Sequence, residues 1–216
     1  MSIPFPEGQN GGVPVERWTP ERRRGLTRSA LIEAAAQVFA RRGFYGASLD
    51  EIAETAGFTR GAIYKNFTDK EGLFLATLED RNQRSLAAFS EWFEENPPDA
   101  ASVDQSALAA AFRQILGRDP DFYALDLEGR LYALRNPEFR KRYVANARQM
   151  TQTVARFITD LARTAEFRWK VKPPLLAHLL ELSAEGFQAW AFLDPDDGAL
   201  FTSFFELLLP SIAEEP

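Results

Sequence analysis

The sequence predicts an all-α protein of about nine helices, and three observations indicate this fold class. Apolar residues recur at three- and four-residue spacing through most of the chain, as on the buried faces of helices. Proline, glycine and asparagine residues interrupt these periodic stretches. The alternation of apolar and polar residues that is typical of strands does not appear. With 216 residues, of which 45% are hydrophobic, the chain is long enough for one large domain or for a small domain joined to a larger one.

The composition excludes several classes of function. The chain contains no cysteine, so it has no disulfide framework, thiol nucleophile or cysteine-ligated metal. It has no run of about 18 apolar residues that could cross a membrane. Its N-terminus also lacks the basic start and apolar core of a signal peptide. We therefore expect a cytoplasmic protein that does not span a membrane.

The first helix is expected to follow a mobile arm over residues 1–18, which is rich in proline, glycine and asparagine. Thr19-Pro20-Glu21 combines a capping residue, a proline and an acid, which is typical of a helix start. The helix should continue to about Arg42 and end at Gly43. Arg24 and Arg28 belong to a basic cluster near its beginning. They could contact DNA phosphates or, equally, form a solvated basic turn.

The segment from Ser48 to Lys70 predicts two short helices joined by a turn. Ser48 is placed to cap the first helix, with Glu51 in the reciprocal position of a capping box. Gly57 follows the last periodic apolar residue, where a left-handed backbone conformation commonly ends a helix. Thr59 can cap the second helix, whose inward face contains Ile63 and Phe67. This arrangement is a helix-turn-helix, in which the second helix can lie in the major groove of DNA.

The outward side chains of the second helix have the chemistry of a DNA-binding surface. Thr59 offers a hydroxyl and a helix N-terminus to a phosphate. Arg60 can reach a guanine edge, and Gly61 permits close approach. Tyr64 and Lys65 can contact the sugar–phosphate backbone. The alternative is a solvated amphipathic hairpin.

The same residues resemble a known signature. The run Thr59-x-Gly61-x-Ile63-Tyr64-x-x-Phe67, followed by Asp69-Lys70-Glu71-x-Leu73, is similar to the DNA-binding motif of TetR-family transcriptional regulators. The upstream run ALIEAAAQVFARRGFYGASLDEIAETAG matches the first two helices of that family, so the resemblance covers about residues 25–80. Asn66 stands where the family often has histidine. The candidate DNA contacts are Arg24, Arg28, Tyr45, Ser48, Thr59, Arg60, Gly61, Tyr64, Lys65 and Lys70, the last by its matching family position.

The charge distribution agrees with a DNA-binding N-terminal region. Between Glu16 and Lys70 there are ten Lys or Arg and seven Asp or Glu, whereas residues 71–216 carry a net charge of −8. A basic region on an acidic protein is expected if only that region meets phosphates. We predict a DNA-binding domain over residues 19–68 and a ligand-binding and dimerisation domain over residues 69–216.

The second domain should be helical throughout. A capping box at Thr68-x-x-Glu71 opens a long helix that ends near Glu94. Breaks at proline and glycine then separate helices over about 104–117, 120–135, 137–165, 173–192 and 197–213. The last two helices are apolar most of the way round, which requires a second surface to bury them. We predict a homodimer that pairs these helices as a four-helix bundle; the alternative is a helix pair buried within one subunit. The candidate interface residues are His178, Leu179, Leu182, Trp190, Phe201, Phe204, Phe205 and Leu208.

The middle helices are rich in aromatic residues, and the resemblance implies an effector cavity among them. Ligand sites are mostly apolar with a few placed polar groups, although each residue could equally be ordinary core. The candidate ligand-binding residues are Trp92, Phe112, Phe122, Leu127, Arg130, Leu131, Tyr132, Tyr143, Asn146, Met150 and Phe187. Such a lining would suit a small hydrophobic or aromatic effector.

An enzyme and a pure protein-interaction module are the competing classes. The single histidine, His178, falls in a predicted interface helix, and no nucleophile elbow, phosphate loop or dinucleotide motif is present. We predict no catalytic site, no metal site and no cofactor. An interaction module would explain the apolar C-terminal helices but not the residues from Thr59 to Lys70. The expected function is that of a repressor bound to a palindromic operator and released by its effector, where repression follows from the resemblance.

Overall fold

The computed structural model describes residues 19–97, 105–116, 120–164, 168–194 and 199–214. These ranges contain nine α-helices, which confirms the predicted fold class. The predicted arm over residues 1–18 lies outside the described residues. So do residues 98–104, 117–119, 165–167 and 195–198, where several of the predicted helix boundaries fall. The helices are α1 (Pro20–Gly46), α2 (Leu49–Thr55), α3 (Arg60–Asn66), α4 (Lys70–Glu95), α5 (Gln105–Leu116), α6 (Pro120–Arg135), α7 (Pro137–Thr164), α8 (Pro173–Leu193) and α9 (Ala199–Ile212).

The predicted start and turn residues adopt the expected conformations. The Thr19 hydroxyl accepts a hydrogen bond from the Arg22 N–H at 3.2 Å, and the Ser48 hydroxyl accepts one from the Glu51 N–H at 3.1 Å. Gly43 and Gly57 have φ angles of +67° and +70°, a region that favours glycine. Gly43 therefore interrupts the helical geometry of α1 where the sequence predicts an end, although helical turns continue to Gly46.

Three local predictions differ from the structure. Asp69, not Thr68, caps α4, and its carboxylate accepts a hydrogen bond from the Gly72 N–H at 2.6 Å. The Thr59 side chain makes no capping hydrogen bond to α3. A two-residue antiparallel pair also joins Arg168–Trp169 to Ala213–Glu214. Strands of two residues are too short to produce the alternation from which a strand is predicted.

The main core joins the N-terminal helices to the middle of the chain. Its aromatic centre contains Phe39, Phe44, Phe74 and Phe139, which come from α1, α4 and α7 and are all buried. The ring centroids of Phe44 and Phe74 lie 4.8 Å apart. We call α1–α3 the head and α5–α9 the body; α4 belongs to both. The helices α6 and α7 contribute Leu125, Ala133 and Phe139 to this core, so head and body share their packing.

Candidate nucleic-acid interface and ligand cavity

The helix-turn-helix is held by a small buried face and leaves the opposite face open. Ile52 of α2 and Ile63 of α3 are fully buried. Tyr64, on the other side of α3, is 52% exposed, and Tyr45 before α2 is 63% exposed. The packing therefore presents the predicted contact residues of α3 to solvent.

Arg60 lies on the exposed face but is held by two neighbours. Its guanidinium forms an ion pair with Asp50 at 2.9 Å and donates a hydrogen bond to the Tyr64 hydroxyl at 3.1 Å. The carbon of the guanidinium also lies 5.7 Å from the Tyr64 ring centroid. These contacts orient Arg60 and Tyr64 together. Since exposed ion pairs are weak, Arg60 can exchange Asp50 for a base or phosphate at little cost.

The basic start of α1 lies beside the end of α3. Arg24 donates a hydrogen bond to the Lys65 carbonyl oxygen at 3.3 Å, and the Arg28 guanidinium lies 5.1 Å from the Phe67 ring centroid. Both arginines and Lys65 are exposed. The fold thus brings three of the predicted cations, which are far apart in the sequence, to one end of α3.

Lys70 and Tyr45 form a second group at the start of α4. The Lys70 ammonium donates a hydrogen bond to the Tyr45 carbonyl oxygen at 3.3 Å and lies 4.9 Å from the Phe44 ring centroid. Partial burial lowers the pKa of Lys70. Ser48, three residues after Tyr45, is exposed. Its hydroxyl oxygen caps α2 by accepting a hydrogen bond from the Glu51 N–H. Its hydroxyl proton remains suited to donation to a phosphate.

Gly61 lies on the exposed face of α3, whereas the Asn66 amide does not. A Cβ added at Gly61 would meet the Thr59 hydroxyl oxygen at 3.6 Å, an ordinary contact, so the described chain itself does not require glycine there. A partner that approaches the backbone of α3 closely would require a glycine at this position. Asn66 instead turns back on its own helix and donates a hydrogen bond to the Ala62 carbonyl oxygen at 2.8 Å.

The body contains a cavity of about 340 Å³ between α4, α5, α6, α7 and α8. This volume lies within the usual range of ligand sites, about 300–1,000 Å³. Six of the predicted ligand residues line it, namely Phe112, Phe122, Arg130, Tyr143, Asn146 and Met150. Most of the remaining lining is apolar, and it includes the rings of Phe89, Phe157 and Trp169.

The other five predicted ligand residues lie elsewhere. Trp92 and Phe187 do not line the cavity but pack with Leu108 and Phe204 in a small cluster that adjoins it through Leu108. Leu127 and Leu131 are on the exposed side of α6. Tyr132 belongs to the core of the head and donates a hydrogen bond to Glu71 at 2.8 Å. Aromatic content alone could not distinguish these positions, because it does not say which side of a helix faces a neighbour.

A hydrogen-bonded group forms the polar wall of the cavity. Arg130 donates to Asp126 at 2.8 Å and makes a bidentate contact with the Glu185 carboxylate. The Tyr143 hydroxyl donates to the other oxygen of Asp126 at 2.7 Å. The hydrogen bonds to Glu185 raise the pKa of Arg130, and burial raises the pKa of Tyr143. The arginine is therefore a fixed cation held between two carboxylates.

The cavity also contains residues that the sequence analysis did not select. They include Asn82, Ser85, Asp126, Thr151, Glu181 and Glu185. A signal exists on α4, where Leu78, Asn82, Ser85, Phe89 and Phe93 share one helical face of mixed polarity. On α8, Glu181 and Glu185 are one turn apart. In each case, small or charged groups interrupt an apolar stripe, as is typical of a ligand site.

The C-terminal helices expose apolar residues along one side of the body. Leu179, Leu182 and Trp190 of α8 are each about half exposed. Leu182 also lines the cavity, as do His178 and Leu208. Phe204 packs against Phe187, with ring centroids 4.9 Å apart. The side chains of Phe201 and Phe205 lie outside the described part of the structure.

Adjacent residues of α7 connect the cavity with the head. Arg142 forms ion pairs with Asp69 at 3.0 Å and Glu71 at 2.9 Å, at the start of α4. The hydrogen bonds that Arg142 donates to Asp69 lower the pKa of that carboxyl group. The next residue, Tyr143, reaches Asp126 in the cavity. On α6, Glu128 accepts a hydrogen bond from the Phe44 N–H at 2.6 Å.

Comparison with known proteins agrees with this architecture. Residues 31–77 match the family model of bacterial regulatory proteins of the tetR family. The HTH-type transcriptional repressor AcnR of Corynebacterium diphtheriae is 29% identical over 164 residues, which cover 75% of this chain and 79% of the relative. Within the described residues, no helix is long and apolar enough to cross a membrane.

Two solved structures share the fold at lower identity. The multidrug binding protein EbrR, complexed with imidazole, has a TM-score of 0.60 at 23% identity over 92% of this chain and 97% of its own. The regulator FadR of Bacillus subtilis, in complex with stearoyl-CoA, has a TM-score of 0.57 at 22% identity over 83% of this chain and 96% of its own. At such identities the likeness concerns the fold alone.

Proposed function

We propose that this chain, a member of the TetR family of bacterial regulatory proteins, is a homodimeric repressor. It binds a palindromic operator and dissociates from the DNA when a small-molecule effector binds. The observation that carries this proposal is the joint placement of Arg60 and Tyr64 on the open face of α3. The relative AcnR is itself a repressor. DNA binding would belong to residues 19–68, and effector binding and dimerisation to residues 69–216.

The head offers two kinds of DNA contact. Arg60 is the candidate for base recognition, since a guanidinium can donate two hydrogen bonds to a guanine edge. Arg24, Arg28, Lys65 and Lys70 are candidates for phosphate contacts, which fix the position of the protein without reading sequence. Thr59, Ser48, Tyr45 and Tyr64 can add hydroxyl or backbone contacts. Gly61 would allow α3 to approach the groove.

Dimerisation is supported by the apolar side of α8 and α9. Several leucines and Trp190 are about half exposed on the isolated chain, and contiguous exposed apolar surface marks an interaction site. A two-fold dimer would bury this surface against its own copy and place two heads about 34–36 Å apart, the spacing of a palindrome. His178, Leu179, Leu182, Phe201, Phe204, Phe205 and Leu208 complete the proposed interface.

The cavity supports control by an effector. EbrR and FadR are described with bound small molecules, and the cavity here is suited to a small hydrophobic or aromatic one. Its wall shares α7 with the head, through Tyr143 on one side and Arg142 on the other. An effector that displaces α7 would therefore pull on the start of α4 and change the spacing of the heads. It weakens DNA binding only if it prefers the altered spacing.

Fluorescence anisotropy with DNA flanking the gene of this protein would test the proposal. The wild type should bind one site tightly, with affinity that falls as salt is raised. Tyr64→Ala should weaken binding about tenfold, as expected for loss of a hydrogen bond to a charged group. Tyr64→Phe keeps the ring, so comparison of the two variants separates the role of the hydroxyl from that of the ring.

Circular dichroism and sedimentation of each variant establish that the fold and the dimer are intact. Binding no tighter than to random DNA across the flanking regions would contradict an operator at its own gene. Equal binding by the wild type and Tyr64→Ala would contradict the role proposed for the exposed face of α3.

A further inference from the structure

One carboxylate of the cavity has no arginine or lysine partner among the described residues. Glu181 of α8 accepts a hydrogen bond from the Thr151 hydroxyl at 2.6 Å. Among the described residues, the ion pairs of the cavity wall join Arg130 to Asp126 and Glu185, and none joins Glu181 to an arginine or lysine. Burial raises the pKa of Glu181, and its hydrogen bond to Thr151 and the nearby His178 oppose that rise. A half-buried carboxylate with a neutral partner is costly to keep ionised.

The remaining charges of the cavity do not compensate for Glu181. Asp126 and Glu185 both pair with Arg130. These three side chains therefore contain two carboxylates and one guanidinium. Arg81 lies 5.6 Å from the Phe122 ring centroid and donates a hydrogen bond to Ser85 at 3.2 Å. The lining carries three carboxylates, two guanidiniums and the imidazole of His178, so its carboxylates outnumber its guanidiniums. The cavity therefore favours a positive guest.

We propose that the effector is an amphipathic cation whose charged nitrogen pairs with Glu181 and whose apolar part packs against the aromatic lining. This inference rests on the proposed function, because it names the class of effector for the same cavity. Phe89, Phe112, Phe157 and Trp169 line that cavity. Aromatic rings bury apolar groups and also attract cations through their faces. The ligand nitrogen thus gives Glu181 an ion-pair partner, which no arginine or lysine among the described residues provides.

An anionic effector fits this site less well. A ligand carboxylate would have to enter beside Glu181 and two further carboxylates, and like charges in a poorly hydrated site repel strongly. Its best partner would be Arg81, which already contacts Phe122 and Ser85. A neutral ligand would leave Glu181 desolvated without a counter-charge, and so would gain less from the same apolar contacts.

Three probes with one tail and different head charges test the proposal. Phenylbutylamine, phenylbutanol and phenylbutyrate are cationic, neutral and anionic near neutral pH, and isothermal titration calorimetry of the full chain gives their affinities. The amine should bind most tightly. Glu181→Gln keeps the shape and removes the charge, and should weaken binding of the amine about tenfold or more while hardly changing binding of the alcohol. Glu138→Gln, whose side chain is 85% exposed on α7, is the matched control and should bind all three as the wild type does.

The outcomes separate the two proposals. Binding of the alcohol or butyrate as tight as that of the amine, or no binding of the amine, would overturn the inference. A Glu181→Gln variant that lost affinity for all three alike would do the same, because it would indicate a structural role. The amine is then added to the protein–operator complex. If it binds the chain selectively but does not release DNA, the proposed control by an effector fails, whereas the preference for a cation stands.

Discussion

In the proposed DNA interface, Arg60 and Lys70 would have different roles: Arg60 would contact a base and Lys70 a phosphate. The ion pair of Arg60 with Asp50 is exposed and therefore weak, so replacing Asp50 by a base would cost little free energy. Lys70 is held against the Tyr45 carbonyl oxygen and the Phe44 ring, so its ammonium has a fixed position at the edge of the head. A charge in a fixed position is suited to a phosphate, whose position on the duplex does not depend on sequence.

Replacing Lys70 tests this division at the level of one residue. Lys70→Ala should weaken binding to all DNA sequences alike and reduce the slope of log affinity against log salt by about one unit, because one phosphate contact is lost. Lys141→Ala is the matched control. That lysine is exposed on α7 and pairs with Glu138 at 2.8 Å, so its loss should leave the slope unchanged. Anisotropy titrations over a salt series measure both. A changed base preference with an unchanged slope would contradict the assignment.

At the scale of secondary-structure elements, α6 packs very closely against α4 at Gly129. A Cβ added at Gly129 would lie 2.8 Å from the Phe74 ring and 3.4 Å from the Tyr143 ring. No real Cβ approaches an aromatic carbon so closely, so the glycine permits α6 to rest directly on α4. This close packing allows α6 to place Glu128 against the Phe44 N–H and Arg130 in the cavity.

Gly129→Ala should therefore push α6 away from α4. We expect it to reduce the free energy of unfolding by about 1–3 kcal/mol, the usual cost of an added group in a packed core. Gly25→Ala is the matched control, since it also lies inside a helix but a Cβ there would meet nothing within 4 Å. It should instead stabilise the chain by about 0.5–1 kcal/mol. Urea denaturation measures both changes. A Gly129→Ala variant as stable as Gly25→Ala would contradict the proposed close contact.

At the scale of the whole molecule, the exposed apolar side of α8 and α9 is the proposed dimer interface. Leu179 is 46% exposed in one chain, so a polar substitution there should not disturb the fold of a monomer. In the proposed dimer the same residue is buried against the partner. Introducing a charge at that position therefore separates the stability of the subunit from the stability of the pair.

Leu179→Glu should raise the dissociation constant of the dimer at least about thirtyfold, the effect of losing about 2 kcal/mol at an interface centre. Leu134→Glu is the matched control, because Leu134 is 70% exposed on α6, which is not one of the helices of the proposed interface. Sedimentation velocity over a concentration series gives the dissociation constants. Identical values for the two variants would place the interface elsewhere.

The head could be predicted almost completely from the sequence. Ser48, Gly57 and the spacing of Ile52, Ile63 and Phe67 specify two short helices and a turn through interactions between near neighbours. Such interactions are local, so they leave a readable pattern in the order of residues. The same is true of the number of helices and of most of their limits. Thr68 and Asp69 are adjacent and both can cap a helix, so the order of residues does not decide which of them caps α4.

Only the tertiary structure decided which residues share the cavity and how it meets the head. The pair Arg130–Glu185 is 55 residues apart, and the pair Arg142–Asp69 is 73 residues apart. Contacts of this kind depend on the tilt and rotation of whole helices, which are set by packing and not by local propensity. The sequence therefore predicted that α6 and α7 carry aromatic and charged residues. Their arrangement in space determined that Tyr132 packs in the core of the head and that Tyr143 lines the cavity. It also determined that Glu181 lines the cavity without an arginine or lysine partner among the described residues.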